Sequence, residues 1–250
     1  MRAACKARAG VVLLVLFCAA SALRSQAPAQ PAAANSRQEF TRRLVAAAIE
    51  RTHHTVRYVS AYVHIRYPGG DVPADTGVCT DEIIRSYRAV GVDLQKEVHE
   101  DMLQHFAAYP NRWHRTHPDS NIDHRRVPNL MVFFQRKGES LLITSRAEDY
   151  APGDLVTWDL GGNVPHIGIV VDQKARWSGR YMIVHNIGEG PKVEDALFNW
   201  KITGHYRYFD LSGLQGTSQK RLQRLKPTQF GLQRGHEGLH FHLLPQVSCS

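Results

Sequence analysis

A glycine- and proline-rich loop that leads into a helix constrains this chain more than any other feature. The loop and helix run from Tyr67 to Arg88 and read YPGGDVPADTGVCTDEIIRSYR. This pattern predicts that Cys79 lies in the first turn of an amphipathic helix. The partial positive charge at a helix N-terminus stabilises a thiolate, and the preceding glycines let the backbone approach a bound substrate. Cys79 is therefore our candidate nucleophile, and we expect its pKa to be lowered.

Two other roles for Cys79 remain open from the residues alone. A disulfide with Cys249 would fit an oxidising compartment. Cys79 would also serve as a simple core residue, since Ile83, Tyr87 and Val90 fall on the same helical stripe.

The two ends of the chain differ from its middle. Residues 1–22 have a basic start, an apolar run that is short for a membrane span, and small residues where a signal peptidase would cut. We predict an export signal there, so that the protein is periplasmic or secreted and touches a membrane only transiently. An uncleaved membrane anchor is the alternative. A Pro/Ala-rich linker at 23–35, one folded domain at 36–210 and a basic, mobile tail at 211–250 complete the predicted organisation.

The formal net charge of +8 raises the question of a nucleic-acid partner. Residues 1–22 and 211–250 hold 8 of the 31 lysines and arginines but only one acidic residue, Glu237. The rest of the chain is therefore nearly neutral, whereas a nucleic-acid enzyme keeps its basic surface on the folded domain. We expect no nucleic-acid partner.

The folded part begins with helical patterns and continues with strand patterns. Apolar spacing predicts helices from Ser36 to about Arg51, from Cys79 onwards, from Leu94 towards Pro110, and from Pro128 to Phe134. Strands are predicted at 154–160, 166–172, 181–187 and 200–209, and the stretch 57–66 is predicted to be extended. Helices that precede an antiparallel sheet are typical of an α+β domain in which the helices pack on the sheet.

Two histidines, His166 and His185, lie on successive predicted strands. A hairpin between them places the two residues opposite one another or one diagonal step apart on the same face. We predict that His166 is the base for Cys79 and that His185 orients the imidazole of His166, as the third member of a Cys-His-polar triad. Asn186 is the competitor for this role, because a shift of one residue in register would exchange it with His185. It is also a candidate for binding the substrate or the oxyanion.

The order of these motifs resembles that of the NlpC-type cysteine peptidases, the papain-like enzymes of bacterial cell walls. In that pattern a Tyr-Gly-Gly loop leads to a cysteine, followed by a Pro-Gly-Asp strand, a His-x-Gly-Ile strand and a strand with a second histidine. This chain has Tyr67 twelve residues before Cys79, then Pro152-Gly153-Asp154, His166-Ile167-Gly168-Ile169 and Ile183-Val184-His185. The resemblance implies a papain-like fold over about 67–185. It also makes Tyr67 and the Cys79 N–H the candidates for stabilising the oxyanion.

A closer resemblance, over about 40–208, is to the exported bacterial domain-of-unknown-function family typified by YijF. The segments that carry it are GVCTDEIIRSYRAVGVDLQKEVHEDM, NIDHRRVPNL, PGDLVTWDL, HIGIVVD and ITGHYRY. The chain departs from the cell-wall peptidases at Val78, where they usually have an aspartate that helps to bind the free amine of a substrate. The same peptide specificity is therefore not implied.

These residues lead to the hypothesis of an exported cysteine hydrolase, a peptidase or amidase acting on an amide bond of peptidoglycan or of a cell-wall peptide. A thiol acyltransferase is a weaker alternative, because the related lipid enzymes place the histidine before the cysteine and Cys79 precedes His166 here. A metal-dependent hydrolase is another, although no HExxH or CxxC spacing occurs. The third is a non-catalytic cell-wall-binding module on the same fold. We expect no cofactor and no metal.

A basic pair, Arg125 and Arg126, is the last candidate for the site. Guanidinium groups bind a substrate carboxylate in bidentate geometry. The alternative is an internal network of ion pairs that orders the long polar segment 111–126.

Overall fold

The computed structural model describes the backbone of residues 30–210 and the side chains of residues 34–210. The helices are α1 (Gln30–Arg51), α2 (Cys79–Ala89), α3 (Leu94–His105) and α4 (Val127–Lys137). The strands are β1 (Arg57–Tyr58), β2 (Thr76–Gly77), β3 (Glu139–Ser140), β4 (Leu155–Asp159), β5 (Pro165–Lys174), β6 (Tyr181–Asn186), β7 (Pro191–Glu194) and β8 (Lys201–Arg207). The predicted signal at 1–22 and the predicted tail at 211–250 lie outside the described residues.

Helix α1 begins before the point that the sequence predicts. The expected start was Ser36, after a linker at 23–35, but the helix begins at Gln30. Alanine is the strongest helix former, and a proline is tolerated in the first helical turn because the N–H it lacks has no partner there. The Pro31-Ala32-Ala33-Ala34 run therefore extends the helix instead of forming a spacer.

The main sheet has six strands in the order β3-β8-β4-β5-β6-β7, and each neighbouring pair is antiparallel. A second, two-stranded sheet joins β1 and β2 in parallel. The α+β class with an antiparallel sheet is thus confirmed. Sequence patterns located β4, β5, β6 and β8 but missed β3 and β7, which are only two and four residues long.

Alternate side chains of β5 enter two different cores, because successive residues of a strand point to opposite faces. Ile167, Ile169 and Val171 pack against the helices, together with Phe40 of α1, Ile83 of α2 and Leu130 of α4. Val170 faces the other way, into a smaller cluster with Tyr150, Trp158, Ile183, Ala196 and Leu197. We call these two sides of the sheet the helix face and the second face.

Helix α2 packs on the middle of the helix face. Its stripe of Cys79, Ile83, Tyr87 and the following Val90 is buried in the larger core, as the helical spacing predicts. The N-terminus of α2 thereby points at the start of β5. None of the described helices is long and apolar enough to cross a membrane.

Candidate active site

The side chain of Cys79 lies at the N-terminus of α2, where it is 4% exposed. Its thiol is free. The thiol is hydrogen-bonded to the backbone N–H of Ile167 on β5 and to the hydroxyl of Tyr58 on β1. The carboxylate of Asp81 accepts the N–H of Val78 at 2.7 Å and so closes the first turn of the helix.

Burial dominates the ionisation of this thiol. Removal from water raises the pKa of Cys79 to about 11, and the nearby Asp81 raises it further, while the hydrogen bonds from Ile167 and Tyr58 act in the opposite direction. The expectation of a lowered pKa is therefore wrong for this structure. The helix N-terminus is present, but the desolvation of a thiolate costs more than the hydrogen bonds and the helix dipole return.

The tyrosine beside Cys79 is Tyr58 and not Tyr67. The Tyr58 hydroxyl contacts both the thiol and the backbone N–H of Cys79. Tyr67 instead stacks edge-on against His99 at 4.9 Å between ring centres and is 38% exposed. The ring of Tyr67 thus packs on α3 through His99, and its spacing from Cys79 did not identify the tyrosine at the thiol.

Strand pairing brings Tyr58 to the cysteine. Tyr58 pairs with Gly77, two residues before Cys79, and the N–H of Val59 donates to the Gly77 carbonyl. The space beside Gly77 is tight, because a Cβ there would lie 3.2 Å from the Asp81 Cβ and from an Arg85 nitrogen. No local pattern in 57–66 indicates this pairing, which is why the sequence showed only an extended segment.

The guanidinium of Arg125 is held inside the protein. It makes two hydrogen bonds to Asp81, at 2.9 and 3.0 Å, and both side chains are 2% exposed. It also donates to the carbonyls of Val59 and Ala61. Arg125 therefore ties the Tyr58 segment to α2, and the prediction that it binds substrate is replaced by the internal network.

The guanidinium of Arg126 is also engaged. It pairs with Asp123 at 3.0 Å and lies over the ring of Trp113, with 15% of its side chain exposed. These contacts order the polar segment 111–126, as the alternative interpretation of the basic pair anticipated.

The two histidines meet on the second face of the sheet. Nε2 of His166 and Nδ1 of His185 lie 2.8 Å apart, and both residues are 1% exposed. The pairing of Ile169 with Val184 places His185 one diagonal step from His166. Gly168 permits this approach, since a Cβ there would lie 2.6 Å from Ile183 and 3.2 Å from the Cβ of His185.

A carboxylate extends the pair. Oε2 of Glu194, on the missed strand β7, lies 2.8 Å from Nε2 of His185. Burial lowers the pKa of His166 to about 3, with His185 adding to the effect. Burial also lowers the pKa of His185, although Glu194 acts in the opposite direction. Both imidazoles are therefore neutral near pH 7. The strand pattern gave no sign of Glu194, because a four-residue strand is too short to show alternation.

The thiol and the imidazole pair lie next to consecutive residues of β5. Cys79 contacts the N–H of Ile167, the residue that follows His166 in the chain. Among the described residues, the hydrogen bonds of Cys79 are to Tyr58 and to backbone, and that of His166 is to His185. The thiol lies on the helix face and the imidazoles on the second face, so the two groups lie on opposite sides of β5 in this structure.

Asn186 points to the helix face, as the alternation from His185 requires. It is 0% exposed, and its oxygen accepts the N–H of Gly188 at 3.1 Å. Its side-chain nitrogen has no hydrogen-bond partner within the described part of the chain. Asn186 therefore does not contact His166 and stays a candidate for binding substrate, since it offers a buried amide donor.

A cavity of about 260 Å³ adjoins the start of β5. Pro165, next to His166, forms part of its wall together with Trp158, Met131 and Val132. Arg112 and Asp159 bring one positive and one negative charge to the same cavity. Within residues 34–210, no group of three or more His, Cys, Asp or Glu side chains is arranged to hold a metal ion.

Comparison with known proteins identifies the family of this chain. Residues 45–208 match the family described as Domain of unknown function (DUF1287). The chain belongs to this family. Uncharacterized protein YijF of Escherichia coli (strain K12) is similar to it, with 46% identity over 203 residues that cover 81% of this chain and 98% of that protein. The DUF1287 segment contains the whole site, from Tyr58 to Glu194.

Proposed function

We propose that this DUF1287 protein is an exported cysteine hydrolase of the papain-like, NlpC-type fold. It would act as a peptidase or amidase on an amide bond of peptidoglycan. One observation carries the proposal. A free thiol at the N-terminus of α2 lies against the backbone of the residue after His166, whose imidazole is held by His185.

The reaction follows the general course of thiol-dependent hydrolysis. His166 takes the proton of the Cys79 thiol, and the sulfur forms a bond with the carbonyl carbon of the amide. The protonated imidazole then gives its proton to the amine, and the C–N bond breaks to leave a thioester. His166 then deprotonates a water that attacks the thioester carbon. The C–S bond breaks to release the acid, and the imidazolium returns its proton to the sulfur, which restores the thiol and the neutral imidazole.

The resting site is neutral. Because burial raises the pKa of Cys79 to about 11 and lowers that of His166 to about 3, the thiol keeps its proton before substrate binds. The proton transfer therefore accompanies the attack on the substrate, and it requires the His166 imidazole to come within reach of the thiol at the start of β5.

Two donors serve the oxyanion in this scheme. The backbone N–H of Cys79 and the hydroxyl of Tyr58 already meet at the N-terminus of α2. A substrate carbonyl oxygen would take the place that the Tyr58 oxygen holds at the Cys79 N–H, and the hydroxyl would donate to it. Donors aimed in advance at a developing negative charge are among the largest contributions to catalysis.

The cavity beside Pro165 is where a part of the substrate would bind. Its wall includes Trp158, whose ring lies 5.9 Å from that of His166 between centres. Its apolar walls with Arg112 and Asp159 suit a peptide segment that carries charges of both signs. Val78, in place of an aspartate before the cysteine, means that amine recognition would depend on other groups, such as Asp159.

A second candidate function is a non-catalytic module that binds the cell wall. Three features favour it: the burial of Cys79, its raised pKa, and the hydrogen bonding of the thiol to Tyr58 and backbone instead of to His166. A binding module would use the cavity without any reaction of the thiol.

Mass spectrometry of peptidoglycan fragments distinguishes the two functions. Fragments are incubated with the purified protein and with its Cys79→Ala variant, after thermal melting has shown that both are folded. Cleavage by the parent protein alone supports the hydrolase. Retention of fragments by both proteins without cleavage supports the binding module, and equal cleavage by both would exclude the cysteine mechanism.

A further inference from the structure

We infer that Glu194 is a positioning residue that fixes the tautomers of both histidines and thereby selects Nδ1 of His166 to accept the thiol proton. The polarity of the hydrogen bonds stands by itself. Its catalytic meaning rests on the proposed hydrolase function.

The inference begins at the carboxylate. An ionised carboxylate only accepts hydrogen bonds. Glu194 Oε2 lies 2.8 Å from Nε2 of His185, so Nε2 of His185 must carry a hydrogen and donate it. A neutral imidazole has one N–H, which leaves Nδ1 of His185 as an acceptor.

The next hydrogen bond follows from the first. Nδ1 of His185 lies 2.8 Å from Nε2 of His166, so Nε2 of His166 must be the donor. Since His166 is also neutral, its Nδ1 is left with the lone pair. The chain of donors thus runs from His166 through His185 to Glu194, and the basic nitrogen is the one at the far end from the carboxylate.

Without Glu194, nothing would fix which of the two imidazoles donates in the hydrogen bond between them. Two neutral imidazoles joined by one hydrogen bond can donate either way, and in the reverse arrangement Nε2 of His166 would lose its hydrogen and Nδ1 would become a donor. Nδ1 would then be unable to accept a proton. With Glu194 present, the reverse arrangement is disfavoured, because it would place the lone pair of His185 Nε2 against the carboxylate.

The surroundings protect this arrangement. The ring of Trp200 lies 6.2 Å from that of His166 and 6.0 Å from that of His185, between ring centres. The ring of Trp158 also lies near that of His166, at 5.9 Å between ring centres. Aromatic cover of this kind excludes water that would compete for the hydrogen bond between the imidazoles.

One positive group lies close enough to His185 to matter. Lys192, on the same strand as Glu194, disfavours a charge on His185, but it is itself paired with Glu189. Glu194 is 41% exposed on its side chain, so solvent screens part of its field. We therefore expect a moderate kinetic effect and a clear effect on the tautomers.

Nitrogen-15 NMR of the histidine side chains in the full chain tests the inference without a substrate. The signals of His166 and His185 are assigned from the His166→Gln and His185→Gln variants. At pH 7 we expect both rings to carry the hydrogen on Nε2. In Glu194→Gln the amide also presents N–H groups to His185, so both rings should become mixtures of tautomers. Glu39→Gln, which removes an exposed carboxylate paired with Arg42 on α1, should leave the spectrum unchanged.

A hydrogen on Nδ1 of either ring in the parent protein would overturn the inference, and so would unchanged tautomers in Glu194→Gln. The kinetic arm expects Glu194→Gln to lower kcat about tenfold at constant KM and constant melting temperature. A pure loss of folding would lower the melting temperature instead. Absence of Cys79-dependent cleavage would remove the hydrolase but leave the NMR result to decide the tautomers.

Discussion

The side chain of Cys79 experiences two opposing influences. Its position at a helix N-terminus, with donors from Ile167 and Tyr58, favours a thiolate, whereas its burial favours the thiol. The raised pKa of about 11 shows that burial dominates. A nucleophile in this state depends on a base that acts during the attack, and its intrinsic reactivity towards small electrophiles should be low.

Alkylation of the native protein tests this state. We expect iodoacetamide to label Cys79 at pH 7.5 at least about tenfold more slowly than in the urea-denatured chain, because thiolate is scarce and access is restricted. The rate is measured for the Cys79 peptide by mass spectrometry, so that other cysteines do not interfere. Native labelling as fast as denatured labelling would contradict the raised pKa.

Tyr58 and Tyr67 form a matched pair of variants. If the Tyr58 hydroxyl donates to the oxyanion, Tyr58→Phe should lower kcat about 100-fold, the size expected for the loss of one such donor, with little change in KM. Tyr67→Phe should change kcat by less than about twofold, because Tyr67 packs on His99. Steady-state kinetics on the cleaved fragment measures both, and the opposite ranking would return the oxyanion role to Tyr67.

At the scale of elements, the N-terminus of α2 is a junction. The carboxylate of Asp81 accepts hydrogen bonds from the N–H of Val78 and from the guanidinium of Arg125. Arg125 also donates to two backbone carbonyls of the segment that follows β1. The nucleophile and Tyr58 thus come from different elements that one buried ion pair joins.

The Asp81→Asn variant tests the junction. Removing one partner of a buried pair leaves an uncompensated charge, so we expect a loss of about 3 to 5 kcal/mol in the free energy of unfolding. Glu139→Gln removes the exposed pair with Arg37 as a control, and less than about 1 kcal/mol should be lost. Urea denaturation gives both values, and equal losses would mean that the Asp81–Arg125 pair carries no special weight.

At the scale of the whole molecule, the chain after β8 is fastened to α3. The hydroxyl of Tyr208 donates to Glu97 at 2.6 Å. Burial raises the pKa of Glu97 to about 7, and Asp210 adds to this, while the Tyr208 hydrogen bond opposes it. The contact joins α3 to the segment that follows β8.

Glu97 makes stability depend on pH. Between the ordinary value of 4.5 and about 7, the folded protein holds a proton on Glu97 that the unfolded chain releases. The stabilisation is therefore complete below pH 4.5 and is lost as the pH rises through 7. Glu97→Gln, which cannot ionise, should gain stability relative to the parent protein between pH 5 and pH 8 in urea denaturation.

Glu100→Gln provides the control for this prediction. Glu100 lies on the same helix, is exposed and pairs with Lys96. Its substitution should change stability by the same small amount at both pH values. Identical pH profiles for the two variants would show that burial of Glu97 does not control this dependence.

The local pattern of the chain determined the elements with strong periodicity. Apolar spacing located α2, α3 and the four longer strands of the main sheet, because a face that must be buried repeats along the sequence. The alternation of strands also put His166 and His185 on one face, since a hairpin allows only opposite or diagonal neighbours. Cys79 in the first turn of α2 followed from the loop that precedes it.

Tertiary structure alone decided the surroundings of these residues. Tyr58 reaches Cys79 through a two-residue parallel pairing, and Glu194 reaches His185 from a four-residue strand, and neither segment is long enough to show a period. The pKa of Cys79 depends on how much water the packed elements exclude, which no local pattern records. Likewise, Arg125 is a suitable ligand for a carboxylate by its chemistry, but only the fold determines that this carboxylate belongs to Asp81.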